Sequence, residues 1–301
     1  MIATTNVSNI LWLGDRACDD PAQVGGKSAH LSRLAADYHV PSGFCLTAAA
    51  FDPEHSADAP VPPALAAALA AAYEALARGC NVPEVPVAVR SSALDEDGNL
   101  ASFAGQHETE LNLIGIEAVL GAIVRCWASG RNERALAYRE QHRLALEEAR
   151  VAVLVQQLVV ADVSAVVFSA NPVTKNLNEV VVTSTWGLGE SLVGGTATPD
   201  TWSVHKGDLT VLEEQVGAKE RMTVAVDGGT QEVAVPRLLR EKASLSRTQV
   251  AELAELAVGL EARMGQPVDV EAAYSGEHLY LLQCRPITTL GESSAELTKS
   301  S

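Results

Sequence analysis

At Arg150 the hydrophobic pattern of this chain changes, and the change limits the folds open to it. On the N-terminal side apolar residues recur at helical spacing. Ser28 to Ala36 carries Ala29, Leu31, Leu34 and Ala35 on one face, and Pro41-Ser42-Gly43 stops the chain before Phe44. Ala64 to Ala77 is an Ala-rich helix former entered through Pro62-Pro63 and closed by Gly79, and Glu117 to Ala128 and Glu133 to Arg150 read as two more helices. Only Val85 to Val89 reads as a short buried strand there. On the C-terminal side the apolar residues come as β-branched runs bounded by Asn, Pro and Gly: Val151 to Val160, Ala165 to Ser169, Val180 to Thr185 and Trp202 to His205. One further amphipathic helix is predicted to Met264, with Ser246 as its N-cap and Gly265 at its end. The expectation is an α+β protein of two lobes, residues 1–150 and 151–290, followed by a polar tail over 291–301. A chain of 301 residues is long enough to give both lobes a core.

The last strands carry the densest chemistry. Pro267 to Ala272 and Leu279 to Pro286 flank a polar break at Tyr274-Ser275-Gly276-Glu277, which predicts a β-hairpin. Alternation puts Asp269 and Glu271 on one face of the first strand, and Gln283 and Arg285 on one face of the second. Two carboxylates and an amide oxygen suit a hard cation such as Mg²⁺, and a guanidinium clamps phosphate. Taken alone, these four residues fit a solvated polar face on an amphipathic hairpin better than a cation site.

Bulk properties exclude several classes. A formal net charge of −16 argues against a nucleic-acid partner, which needs basic surface. Five widely spaced cysteines with no Cys-x-x-Cys pair read as thiols in a reducing compartment. The N-terminus lacks the basic and apolar regions of a signal peptide, and no apolar run is long enough for a transmembrane helix. A cytoplasmic location with no membrane partner is expected.

Three familiar patterns fail on inspection. Val24-Gly25-Gly26-Lys27-Ser28 looks like the end of a Walker A loop, but Pro21 stands where the first Gly belongs. A Gly-Gly-Lys at a helix start can still hold phosphate through backbone N–H groups and the ammonium, or be an exposed helix start. Trp186-Gly187-Leu188-Gly189-Glu190-Ser191-Leu192 lacks the third Gly of a dinucleotide fingerprint, and its safer meaning is a loop passing close to a neighbouring strand or a ligand. Asp95-Glu96-Asp97-Gly98-Asn99 has Leu100 and Gln106 where a calcium loop needs Gly and Glu, so an acidic turn is expected. Arg90-Ser91-Ser92 places a cation and two hydroxyls at a strand end, and Ser102-Phe103-Ala104-Gly105-Gln106 is a small-residue loop able to close over phosphates.

In order along the chain, Val24 to Leu31, Val40 to Phe44, Val87 to Ala93, Ala101 to Thr109, Val155 to Val159, Trp186 to Glu190 and Leu282 to Thr288 resemble one known arrangement. They are similar to the nucleotide-binding domain of the phosphoenolpyruvate synthase and pyruvate phosphate dikinase family, which rifampin phosphotransferase shares. The resemblance spans roughly residues 10 to 290 and implies an ATP-grasp-like fold with Mg²⁺ and ATP between two lobes. It implies that Lys27, Arg90 and Arg285 are the catalytic cations on the ATP phosphates, with Ser91, Ser92 and Gly105 nearby. It also implies that Glu271 and Gln283 ligate Mg²⁺ with Asp269 adjacent, and that Gln156, Gln157 and Leu158 form the adenine hinge. Leu94 replaces the family's usual Thr, and Ala272 replaces a common aromatic.

Family members continue into a swivelling domain whose His accepts the phosphoryl group, while this chain stops soon after Pro286. His107 lies in the phosphate-loop motif, but no obvious replacement for that module is present. The resemblance therefore implies a phosphotransferase subunit that splits ATP to AMP and phosphate and passes a phosphoryl group, through a partner protein's His, to a small-molecule acceptor. Two alternatives stay open: a self-sufficient kinase or ligase acting on a small metabolite, and a non-catalytic nucleotide-binding regulator.

Overall fold

The computed structural model describes residues 9–50, 60–94, 109–130, 150–287 and 290. The expected acidic turn at Asp95 to Asn99, the loop holding Gly105 and His107, the expected helix from Glu133 up to its last residue, and the tail over 291–301 lie outside them.

Two antiparallel sheets organise the chain. The first contains β1 (Ile10–Trp12), β2 (Gly43–Leu46), β3 (Val87–Ala93), β4 (Thr109–Leu113) and β5 (Val151–Gln157), in the order β1-β2-β5-β3-β4. The second contains β6 (Val163–Phe168), β7 (Glu179–Trp186), β8 (Asp200–His205), β9 (Val211–Gln215), β12 (Val268–Ser275) and β13 (His278–Pro286), in the order β13-β12-β6-β7-β8-β9. Between β9 and β12 a separate hairpin forms from β10 (Arg221–Val226) and β11 (Gly229–Ala234). The helices are α1 (Pro21–Leu34), α2 (Pro63–Gly79), α3 (Ile116–Ser129), α4 (Glu190–Val193), α5 (Arg237–Arg240) and α6 (Arg247–Met264).

Strand β5 explains why the pattern at Arg150 reads as a near-continuous apolar run. It lies in the middle of the first sheet and is buried on both faces. Val153 and Val155 face a core made with Leu69, Tyr73 and Leu76 of α2 and with Ile123, Cys126 and Trp127 of α3. Leu154, on the opposite face, joins Leu31 and Leu34 of α1 and a larger core that continues through Val167, Val182 and Trp202 to Leu253 and Leu260 of α6. Helix α1 thus packs against both β5 and β13, tying one sheet to the other. The chain leaves the first sheet after Gln157, so the sheets do not divide at residue 150: β5 follows that point in sequence but pairs with β2 and β3 of the N-terminal elements.

Local rules account for the helix ends. Ser246 and Gln249 form a reciprocal capping box on α6, and Gly265 closes it in the left-handed region. Within α1 the helical path breaks at Gly25, whose φ of 74° divides the helix just before Lys27.

A fully buried ion pair between Asp200 and Lys219 fixes the loops at the far side of the second sheet. Asp200 Oδ2 also accepts hydrogen bonds from the Ser244 N–H and Oγ, each at 2.7 Å, so both carboxylate oxygens are satisfied in the interior. All five cysteines are free thiols. Among the described residues no helix is long and apolar enough to cross a membrane.

Candidate nucleotide-binding cleft

The predicted terminal hairpin forms with the register that its polar residues need. Asp269 of β12 lies directly across from Arg285 of β13, and Glu271 across from Gln283. A bulge after Glu271 shifts the remaining pairs, so the two polar pairs stand together at one end of the hairpin. Arg285 grips Asp269 Oδ2 with Nε at 2.8 Å and Nη2 at 2.7 Å. The other carboxylate oxygen, Asp269 Oδ1, is buried and has no hydrogen-bond partner among the described residues.

The first sheet delivers the facing cation. Arg90 Nη2 donates to Glu271 Oε2 at 2.6 Å and Nη1 donates to the Leu282 carbonyl at 3.1 Å. Burial raises the Glu271 pKa, but Arg90, through charge and hydrogen bond, and then Lys27 and Arg285 more than offset it and hold the carboxyl below its ordinary value. Asp269 goes the other way: its burial outweighs the charge and hydrogen bond of Arg285, and Glu271 adds repulsion, so its carboxyl is raised. Burial and the Asp269 charge push the Cys284 thiol up to about 12, which keeps it protonated in the core beside these residues.

Lys27 reaches the same place because Gly25 lets the chain pass against β3. A Cβ on Gly25 would lie 2.6 Å from the Ser92 carbonyl oxygen, closer than real Cβ atoms come to anything. The Ser28 N–H points at Ser92 Oγ at 3.5 Å, so the start of the second helical segment is anchored to the end of β3. Ser91 and Ser92 are buried and, with Lys27, Ser28, Arg90 and Gln283, wall a recess behind the cationic cluster.

These groups occupy one end of a cleft of about 670 Å³ between the sheets. Its lining includes Lys27, Arg90, Glu271, Gln283 and Arg285 and also Gln156, Gln157 and Leu158. The hinge segment is firmly set: Gln157 N–H donates to Ser42 O and Leu158 N–H to Pro86 O, each at 2.8 Å, while the Gln156 side-chain amide donates to Pro41 O at 3.1 Å. Near the hinge the wall turns apolar, with Ala88, Leu158 and Leu188 buried together and Leu111, Ala161 and Ala225 packed on them. A cleft with cations at one end and an apolar slot at the other suits a ligand that is anionic at one end and flat and apolar at the other.

Of the residues expected at a site, Lys27, Arg90, Gln156, Gln157, Leu158, Glu271, Gln283 and Arg285 line this one cleft. Ser91, Ser92 and Asp269 stand directly behind it, and Gly105 lies outside the described residues. Sequence reasoning did not assign Thr109 and Leu111 of β4, Ser164 of β6, or Gly189 and Glu190, all of which line the cleft. For the last two a signal existed. The Gly187 loop does pass close to something: Leu188 N–H donates to Thr223 O of β10 at 2.8 Å, and the residues that follow face the cleft.

Two sheets clasp a cleft that is cationic at one end and apolar at the other in an α+β fold, and the class of protein that carries such a cleft here is an AMP/ATP-binding domain. The chain belongs to the family described as the pyruvate phosphate dikinase AMP/ATP-binding domain, whose model matches residues 54–301. It is 41% identical over 79% of its length to a probable phosphoenolpyruvate synthase of Methanocaldococcus jannaschii, covering 20% of that protein. A probable phosphoenolpyruvate synthase of Methanothermobacter thermautotrophicus is 37% identical over 96% of this chain, which covers 47% of it. A rifampicin phosphotransferase of Streptomyces sviceus is 37% identical over 89% of this chain, which covers 34% of it. The chain therefore spans between a fifth and about half of the length of these relatives.

Proposed function

We propose that this chain binds Mg-ATP in the cleft and serves phosphoryl transfer of the dikinase type, in which ATP is split to AMP and phosphate. The phosphoryl group passes to a His on a partner protein or domain and from there to a small-molecule acceptor. The observation that carries the reading is the convergence of Lys27, Arg90 and Arg285 with the cross-strand pair Glu271 and Gln283 at one end of a single cleft. Three cations can neutralise a polyphosphate, and phosphoryl transfer asks little of a protein beyond positioning and charge.

The donor set fits Mg²⁺. Glu271 and Gln283 offer two hard oxygens, with the orphaned Asp269 Oδ1 behind them, and this ion usually takes its other ligands from water and substrate phosphate. Bound there, it would neutralise phosphate charge. The apolar slot beside Gln157 and Leu158 suits an adenine ring, and Arg90, which holds Glu271, also lines the cleft and offers its charge to a phosphate there. A cytoplasmic setting agrees with five free thiols.

Product analysis tests the proposal. Labelled ATP and Mg²⁺ are incubated with the chain alone, and then with a candidate His-bearing partner. AMP that appears only with the partner, together with label on that partner's His, is the expected result. Turnover with a small acceptor and no partner would instead establish a self-sufficient enzyme, and ADP as product would overturn the dikinase chemistry.

A further inference from the structure

We infer that Glu190 is a specificity residue that reads the sugar of the bound nucleotide, accepting hydrogen bonds from its vicinal hydroxyls. This rests on the nucleotide reading of the cleft and assigns a subsite within it.

Among the described residues two carboxylates line the cleft, Glu271 and Glu190. Glu271 is paired with Arg90 and, in the reading above, serves the metal. Glu190 opens the short helix α4, is half-buried, and among the described residues its carboxylate has neither a hydrogen bond nor an ion pair. A carboxylate facing a cleft has strong acceptor capacity and no donor of its own when ionised, so its ligand must bring the donors.

Its position says which donors. On strands β12 and β6, Glu271 lies across from Val166 and Ala273 lies across from Ser164. Ser164 is therefore two residues from the Glu271 row, about 7 Å along the strand. Gly189 sits over Ser164, since a Cβ built on that glycine would lie 3.6 Å from the Ser164 Cβ, and Glu190 follows it directly. On the other side Leu188 belongs to the apolar group with Ala88 and Leu158. The carboxylate thus stands between the cationic end and the apolar slot. A nucleotide laid along that axis places its sugar between phosphates and base.

Electrostatics agrees with this assignment. A second carboxylate among the phosphates would repel them, whereas Lys27, Arg90 and Arg285 gather at the other end. Beside a sugar the same charge is useful, because a carboxylate can accept from two adjacent hydroxyls at once and hydrogen bonds to a charged acceptor are the stronger kind. A site built around a ligand hydroxyl rejects the analogue that lacks it.

The experiment is calorimetric titration of the wild-type chain and Glu190→Gln with ATP, 2′-deoxy-ATP and 2′,3′-dideoxy-ATP, each with Mg²⁺. The wild type is expected to bind ATP about tenfold or more tightly than the dideoxy analogue. Glu190→Gln is expected to lower ATP affinity to near the dideoxy level while leaving dideoxy-ATP affinity unchanged, and that unchanged value also shows that the variant is folded. If Glu190→Gln keeps the full wild-type preference for ATP over dideoxy-ATP, or if the wild type has no such preference, the sugar assignment is overturned while the nucleotide reading stands. If the wild type binds none of the three nucleotides, the nucleotide reading itself falls and the subsite with it.

Discussion

Arg90 and Glu271 are 181 residues apart in sequence and 2.6 Å apart in space, and their ion pair joins β3 of the first sheet to β12 of the second across the cleft. The pair has two consequences. It holds the two walls of the cleft together, and it keeps one guanidinium and one carboxylate oriented toward the same point.

Removing either partner leaves the other largely buried without its counter-charge. Glu271→Ala and Arg90→Ala are each expected to cost about 2 kcal/mol, as for charged hydrogen bonds with some solvent access. In a double-mutant cycle the second substitution should add much less than the first, because the two share one interaction. Denaturant unfolding of the four chains measures this, and additive costs would show that the pair is not coupled.

The two carboxylates of the hairpin should give opposite pH dependences of stability. Glu271 is held below its ordinary pKa, so the stability that it contributes is present above the unfolded value, about 4.3, and is lost as pH falls through the lower folded value. Asp269 is raised above its ordinary value, about 3.9, so folding opposes its ionisation, and that cost disappears as pH falls through the folded value toward the unfolded one. Urea midpoints measured between about pH 3 and 6 should therefore lose a rising slope in Glu271→Gln, and should lose an opposing slope at slightly higher pH in Asp269→Asn.

How far the sequence was legible depended on how local the cause was. The capping box at Ser246 and Gln249 and the left-handed stop at Gly265 are set by residues within one turn, and helix α6 begins and ends where they predict. The polar pairs on β12 and β13 follow from alternation and one short turn, and the register brings Asp269 to Arg285 and Glu271 to Gln283. Strand β5 was harder. Its alternating Val153, Leu154 and Val155 serve two different cores, and nothing local says that a strand following the helical segment joins the earlier sheet. Strands β9 and β11 escaped because their exposed faces carry Glu213, Glu214 and Glu232 in place of clear apolar alternation. Glu190 was visible only as part of a glycine loop, since the proposed role depends on Ser164, which the pairing of β6 with β7 brings beneath the neighbouring Gly189.

Asn112 is a second fastening across the cleft. Its side-chain amide donates to Val226 O at 2.5 Å and to Gly229 O at 2.7 Å, so β4 holds the turn of the β10 and β11 hairpin, whose Ala225 packs against the apolar slot. Asn112 is buried and adopts a φ of 59°, a conformation that Asn tolerates better than most residues. Asn112→Ala should cost about 2 to 3 kcal/mol, from two part-buried hydrogen bonds lost and a strained Ala backbone. Hydrogen exchange should then speed up across residues 221–234 while the α6 amides stay protected. Uniform loss of protection would mean that the hairpin is not held separately by this contact.

Gly25 tests whether the positioning of Lys27 depends on backbone approach. Its φ of 74° disfavours any side chain, and a Cβ would press on the carbonyl of Ser92, a backbone atom of a central strand that cannot swing away. Gly25→Ala should therefore either destabilise the chain by about 2 kcal/mol or more, or push the start of the second segment of α1 off the end of β3. Either route moves the Lys27 ammonium relative to Arg90, so ATP affinity should fall several-fold in calorimetric titration even where the variant remains folded. Gly79→Ala is the matched control. Gly79 closes α2 with a non-positive φ and nothing within 4 Å of a built Cβ, so the same added methyl group should leave both melting temperature and nucleotide affinity near the wild-type values. Equal behaviour of the two variants would show that the close approach of Gly25 to Ser92 is not what places the lysine.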